Sequence, residues 1–281
     1  SHFVLYHTAC LQLMKENFEE GWELYDHRLK TKNSQSISSL KFDKFPKEVN
    51  KILIFTEYGI GLGEFFLFSY FFNELKKYPS ITVDIETNAR LIPLYKRSFP
   101  EINFIPKEIT FKEDYESFFP IGHLGKFFGK NKAHLPKKAP YLIPHSQKVQ
   151  HFKEKYKKLF PNKRLIGFSW KPINNHVGFC RSIPLETFIS SLKHPDIIWI
   201  CLQVKMTEEE EKLLKKQNNI YIDDKVNLFE DIDSVAAIVS GLECIVSIDN
   251  TLANLCGALG VPTLTLLVTN ANWKWGLSRN E

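Results

Sequence analysis

The stretch CIVSIDNTLANLCGALGVP (residues 244–262) opens as an apolar run and closes as a helix. Cys244 to Asp249 reads as a buried strand. Beyond Asp249, the residues Leu252, Leu255, Cys256 and Leu259 recur at helical spacing, and Gly260 and Pro262 supply stop signals. A buried strand that feeds directly into a helix is the βα unit of a parallel sheet. Asp249, Asn250 and Thr251 then fall at a helix N-terminus, where N–H groups without helical partners and the helix dipole favour an anion such as a diphosphate. Asp249 acting only as a helix cap accounts for the same residues without a ligand.

The alternation extends upstream through LIGFSW (165–170), a helix over 185–193, IIWICLQ (197–203), a helix over 207–217, IYID (220–223) and a helix over 233–241. Downstream it ends with TLTLLV (263–268). A separate set precedes it: ILIF (52–55), a helix over 64–77, ITVDIE (81–86), a helix over 88–98 and INFIP (102–106). Strand, helix, strand in this order predicts right-handed crossovers and two parallel α/β units in tandem. Residues 113–145 read as irregular and contain the boundary. At the front, residues 9–30 have a helical period broken near Gly21, and KNSQSISS (32–39) reads as a polar connector. The expected domains are a helical segment over 1–40, a first α/β domain over 41–145 and a second over 146–281.

With 43% hydrophobic residues, 23 Phe among them, and 25% charged residues, the 281-residue chain has the composition of a soluble globular protein large enough for two domains. The net charge of +5 is concentrated in SQKVQHFKEKYKKLFPNKR (146–164), which reads as the wet face of a helix. No nucleic-acid-binding module accompanies it. The five cysteines show no C-x-x-C spacing, and Cys201, Cys244 and Cys256 sit in apolar segments as small core residues, which suits a reducing, cytoplasmic location. No apolar run approaches the roughly 18 residues that span a bilayer, and no signal-peptide layout is present. The nine histidines are scattered without ligand spacing, so neither a metal nor a bound cofactor is expected.

The first strand runs into a glycine loop, KILIFTEYGIGLGEFF (51–66). A dinucleotide fingerprint needs Gly-x-Gly-x-x-Gly, whereas Gly59, Gly61 and Gly63 are spaced G-x-G-x-G, so the third glycine comes too early. Asp84 or Glu86, at the end of the next strand, would suit a ribose hydroxyl and keeps that reading open. A second reading makes the glycines a tight turn and Glu64 a favourable charge at the helix start. A third makes Glu64 a general base facing a cleft between the two domains. In the second unit, FSWKPINNHVGFCRSIPL (168–185) puts Lys171 and Arg181 at the same sheet edge as Asp249, a possible clamp for a diphosphate. Taken singly, each is better read as an exposed surface charge.

FEDIDSVAAIVSGLECIVSIDNTLANLCGALGVPTLTLL (229–267) resembles the donor-binding half of the heptosyltransferase-like glycosyltransferases, particularly those fused to tetratricopeptide repeats. The resemblance continues through GFSWKP, RSIPL, IWICLQ (198–203) and NWKWGL (272–277). FEEGWELYDHRLK (18–30) is similar to a last repeat helix and linker, and EYGIGLGEFFLF (57–68) to the family's glycine loop. The resemblance implies an α/β fold of GT-B type: two Rossmann-like domains with parallel sheets facing across a cleft, the first for acceptor and the second for a nucleotide-sugar donor. It implies inverting, metal-independent transfer to a saccharide, a lipid-linked glycan or a protein side chain. Glu64 would be the base. Lys171, Arg181 and Asp249-Asn250-Thr251 would contact the diphosphate, with Gln203 and Asn254 as nearby polar contacts. Two positions depart from the family pattern. Its loop reads glycine then aspartate, whereas here Leu62-Gly63 intervenes and the acid is Glu64, and its histidine five residues after the aspartate is Asn254. These departures make a non-catalytic nucleotide-sugar-binding or protein-interaction module the alternative.

Overall fold

A computed structural model describes residues 1–30, 44–107, 114–131, 140–173 and 179–277. The connector expected at 32–39 lies outside the described residues. The chain divides into two compact units. The first comprises Ser1–Ile92, Phe99–Lys138 and Asn270–Glu281, and the second Pro93–Ser98 and Ala139–Thr269.

The first unit begins with an antiparallel pair of helices, α1 (His2–Met14) and α2 (Phe18–Tyr25), followed by a 3-10 turn over Asp26–Lys30. The break between the helices falls at residues 15–17, where Glu16 adopts a φ of 64°, and not at Gly21. Gly21 lies inside α2 because the helices touch there: a Cβ at this position would sit 2.7 Å from Leu13 Cδ2.

Four parallel strands follow, β1 (Lys51–Phe55), β2 (Thr82–Thr87), β3 (Asn103–Pro106) and β4 (Ser117–Pro120), in the order β3-β2-β1-β4. The helix expected over 64–77 is two helices, α3 (Leu62–Ser69) and α4 (Phe72–Leu75). Ser69 Oγ donates to the Phe66 carbonyl at 2.8 Å, and Phe71 N–H donates to Phe68 at 3.1 Å, an i→i−3 bond that tightens the chain and ends α3. After a short 3-10 turn, α5 (Ile92–Ser98), whose residues from Pro93 onward belong to the second unit, completes the expected 88–98 helix.

Within the stretch read as irregular, β4 and a glycine-bearing helix, α6 (His123–Phe128), are regular elements. The glycines that disguised α6 are demanded by its neighbours. A Cβ at Gly125 would lie 2.4 Å from the Trp22 ring, and one at Gly122 would lie 2.3 Å from Arg28 Nη2. Trp22 itself is buried, donates to the Gly129 carbonyl at 3.1 Å and meets Trp273 edge-on at 5.5 Å. Phe65, Phe66, Phe68, Phe72, Phe99, Phe104 and Phe119 are fully buried in this unit, each worth roughly 1.5–3 kcal/mol of transfer free energy.

The second unit carries α7 (Ser146–Leu159), the lysine-rich segment, which buries Phe152 and Tyr156 and turns Lys153, Lys157 and Lys158 to solvent. Five parallel strands follow: β5 (Arg164–Ser169), β6 (Ile197–Cys201), β7 (Ile220–Tyr221), β8 (Cys244–Ile248) and β9 (Thr263–Leu266). Their order is β7-β6-β5-β8-β9. They are joined by α8 (Leu185–Ser191), α9 (Glu208–Lys215), α10 (Ile232–Val239) and α11 (Thr251–Ala258). Phe168, Trp170, Phe188, Trp199 and Leu214 form the core of one sheet face. Cys201 and Cys256 are buried and Cys244 is half-buried. Among the described residues, no helix is long and apolar enough to cross a membrane.

In both sheets the strand order reverses beside the first strand, with β1 next to the edge strand β4 and β5 next to β8. In such sheets ligands sit beyond the carboxyl ends of the strands at that reversal.

Candidate functional site

In the second unit the reversal is closed by side chains from three strand ends. Ser169, the last residue of β5, donates its hydroxyl to Gln203 Oε1 at 3.0 Å and accepts from Asn250 Nδ2 at 3.0 Å. Gln203, two residues beyond β6, also receives the backbone N–H groups of Trp170 and Lys171 on Oε1, each at 3.1 Å. Its Nε2 donates to the Lys171 carbonyl at 3.0 Å. Asn250 caps α11: its Oδ1 accepts from Ala253 N–H at 3.2 Å and from Ser247 Oγ at 3.1 Å. The capping residue is thus Asn250 and not Asp249. This network fixes the start of α11 and leaves earlier N–H groups of its first turn beyond the reach of helical carbonyls.

The charged residues stand around this frame. Arg181, on a 3-10 turn over Phe179–Arg181, reaches both the carbonyl and Oδ2 of Asp249 at 3.4 Å. Arg181 remains 30% exposed, whereas the Asp249 side chain is 5% exposed, so the cation is the accessible member of the pair. Lys171 is held differently. Its ammonium donates to Glu210 Oε1 at 2.7 Å and Oε2 at 2.5 Å. Burial alone would raise the Glu210 pKa, but Lys171 and the Thr207 N–H more than offset it and hold the carboxyl below its ordinary value. Glu210 is also the far half of a capping box with Thr207. Thr251 is half-buried at the first position of α11, and Asn254 donates its amide to the Asn250 carbonyl at 2.7 Å. Gln203, 2% exposed with both its amide oxygen and nitrogen hydrogen-bonded, shapes the strand ends from inside.

In the first unit the glycine loop leaves β1 through a tight turn in which the Glu57 carbonyl accepts Ile60 N–H at 3.3 Å. Gly59 takes the third position with a φ of 90°, the left-handed value that a type II turn requires there. Gly61 is the extended residue before α3, and Gly63 is buried in its first turn. Glu64 lies in that same turn, half-buried, with Oε2 3.2 Å from where a Cβ on Gly61 would stand. Among the described residues it has no hydrogen-bond or ion-pair partner. Asp84, one of the two acids considered for a ribose, already accepts from Asn103 at 3.1 Å and from the Tyr115 hydroxyl at 2.7 Å.

The structure thus brings Arg181, Asp249, Asn250 and Gln203 into one linked set, attaches Lys171 to it through its backbone, and places Glu64 in the other unit. Sequence reasoning passed over Ser169, Glu210, Glu57 and Arg28. Glu210 was legible in the T-x-x-E spacing of Thr207 and Glu210, and Glu57 follows its strand much as Asp249 follows β8. Among the described residues, no group of three or more His, Cys, Asp and Glu side chains is arranged to hold a metal ion.

No protein-family model matches the chain. Protein FlbA of Caulobacter vibrioides is 24% identical over 288 aligned positions, which cover 94% of this chain and 48% of FlbA; the chain spans about half the length of that relative. Among solved structures, the glycosyl transferase family 9 protein of Veillonella parvula superposes with a TM-score of 0.56 at 12% identity, over 79% of this chain and 82% of its own. ADP-heptose LPS heptosyltransferase II of E. coli gives 0.52 at 14% identity, over 76% and 84%. The dodecameric iron-containing heptosyltransferase TibC, in complex with ADP-D-β-D-heptose, gives 0.51 at 8% identity, over 79% and 58%. At these identities the likeness is one of fold: two Rossmann-like parallel sheets of the GT-B type.

Proposed function

We propose that this chain is the catalytic portion of a glycosyltransferase that moves a sugar from a nucleoside-diphosphate donor to an acceptor hydroxyl, with inversion and without a metal. The observation that carries the reading is the Ser169–Gln203–Asn250 network, which holds the start of α11 at the strand-order reversal with the exposed Arg181 beside it. A fold shared with heptosyltransferases supports it. In this reading the donor diphosphate lies against the first turn of α11 and Arg181. The acceptor oxygen attacks the anomeric carbon, its proton passes to the Glu64 carboxylate, and the bond from that carbon to the diphosphate oxygen breaks with its electron pair. Fixed dipoles and a guanidinium at the leaving oxygen are electrostatic stabilisation placed where charge develops. Lys171 would contribute only after exchanging Glu210 for phosphate. Thr251 and Asn254 would offer polar contacts at the same helix start.

The α1–α2 pair is proposed as the last unit of a helical repeat, and the unpaired cysteines support a cytoplasmic setting. The acceptor is a saccharide, a lipid-linked glycan or a protein side chain.

A second reading, a nucleotide-sugar-binding module without turnover, is favoured by one observation: Asn254, where the resembled family carries histidine, is committed to the Asn250 carbonyl and cannot exchange a proton. Titration calorimetry with ADP- and UDP-sugars, followed by a transfer assay on the binder, separates the two. The Glu64→Gln variant is expected to bind donor normally and to lose transfer by about 100-fold or more. Full transfer by that variant removes Glu64 as base, and failure to bind any nucleoside diphosphate removes the donor site.

A further inference from the structure

Glu57 is 3% exposed, the last buried residue before the loop surfaces at Tyr58, which is 73% exposed. Its carboxylate is held from outside the sheet. Arg28 donates Nε at 3.0 Å and Nη2 at 2.7 Å to the same Oε1, and Gly122 N–H donates to it at 3.3 Å. Arg28 is held in turn: Nη1 donates to the Tyr25 carbonyl at 3.1 Å, and the guanidinium lies 4.5 Å from the Tyr25 ring centroid. The space for this pair exists because residue 122 is glycine, since a Cβ there would lie 2.6 Å from Glu57 Oε1 and closer still to Arg28. A cation from the 3-10 turn after α2 is therefore seated at the carboxyl ends of β1 and β4, the place where the reversal of strand order leaves a crevice.

From Glu57 onward the loop has little else to hold it. The Glu57–Ile60 turn is closed by one long backbone hydrogen bond, and Gly59 lacks a side chain to restrict its left-handed backbone. Four residues after that turn comes Glu64. We propose that Arg28 is a positioning residue for the transfer step, acting through Glu57 to fix the glycine loop and the first turn of α3 that carries Glu64. This rests on the transferase reading above. It makes the N-terminal helical segment a working part of the acceptor-side unit, because the polar contacts just beyond the carboxyl ends of β1 and β4 include a residue of that segment. A carboxylate base must approach its proton to within hydrogen-bond distance, and a displacement of about 1 Å costs up to 100-fold in rate.

The test uses the whole chain and two variants. Arg28→Lys keeps the charge and loses the fork, and the double variant R28M/E57Q leaves no lone buried carboxylate and so guards against simple unfolding. Expected results are a fall in kcat of about 10-fold for the first and up to 100-fold for the second, with donor KM within twofold of the parent. Amide hydrogen exchange is expected to accelerate over residues 58–64 and to stay unchanged over 244–258. A folded double variant with parental kcat overturns the proposal, as does unchanged exchange over 58–64. An equal loss in kcat and donor KM also overturns it, since that pattern marks general destabilisation. If the parent chain binds nucleotide but transfers nothing, the transferase reading fails and the catalytic half of this proposal fails with it. The exchange measurement then still decides whether Arg28 holds the loop.

Discussion

One amide oxygen, Oε1 of Gln203, ends three hydrogen bonds that come from the end of β5 and the two residues after it. Its place at the end of the apolar run 197–203 was legible, but that the strand stops at Cys201 and where the side chain points were not, because the pleat does not say what lies above a strand end. The same applies to His123 in the first unit. It is 1% exposed, neither ring nitrogen is hydrogen-bonded among the described residues, and Asp26 Oδ1 stands 3.6 Å from Nε2. Burial first, and then the Arg28 charge, push the imidazole down to about 4 from its ordinary 6.5; Lys126 acts in the same sense and Asp26 and Glu23 oppose it. The folded state thus disfavours the proton that the unfolded chain accepts near pH 6.5. Stability from this group is complete above pH 6.5, is lost as pH falls from 6.5 to 4, and changes no further below that. The loss is expected to be on the order of 3 kcal/mol in urea unfolding measured across that window. The His123→Leu variant is expected to show a correspondingly flatter profile, and an unaltered one would remove His123 as the cause.

At the scale of elements, α11 owes its start to Asn250, which supplies the cap and also ties the helix to β5 and to β8. The Asn250→Ala variant is expected to destabilise the second unit by about 2 kcal/mol, through loss of the cap and of the Ser169 and Ser247 bonds, as read by urea unfolding. A change below about 0.5 kcal/mol would mean that water replaces the side chain without loss. The strand-then-helix reading of 244–262 located this element from its periodicity alone. Periodicity failed at α6. Gly122, Gly125 and Gly129 look like loop residues when the chain is read locally, and they are there because Arg28 and Trp22 pack where a Cβ would stand. It also ran α3 and α4 together, since a continuous apolar pattern does not register a Ser69 hydroxyl that turns back on its own helix.

For the whole molecule, two units built on the same strand order each present a carboxyl edge with a polar cluster at the reversal. In the first unit the cluster is braced by the N-terminal helices, with Trp22 as the largest wedge between them and α6. Trp22→Ala is expected to destabilise this unit by roughly 3–5 kcal/mol and to speed amide exchange in β1 and β4, while exchange in β5 and β8 is unaltered. Equal acceleration in both sheets would show that the helical pair is not a local brace. The alternation of apolar strands and amphipathic helices determined by itself that the chain forms two parallel α/β sheets, and turn and cap residues placed Gly59 and the 249–251 helix start, because these preferences act over a few neighbouring residues. Tertiary structure alone decided which charges meet. Lys171 is paired with Glu210, and Arg28 reaches Glu57 across 29 positions of sequence. Such pairings depend on which elements pack against each other and on the few ångströms of space that a glycine leaves, and no local pattern of residues encodes either.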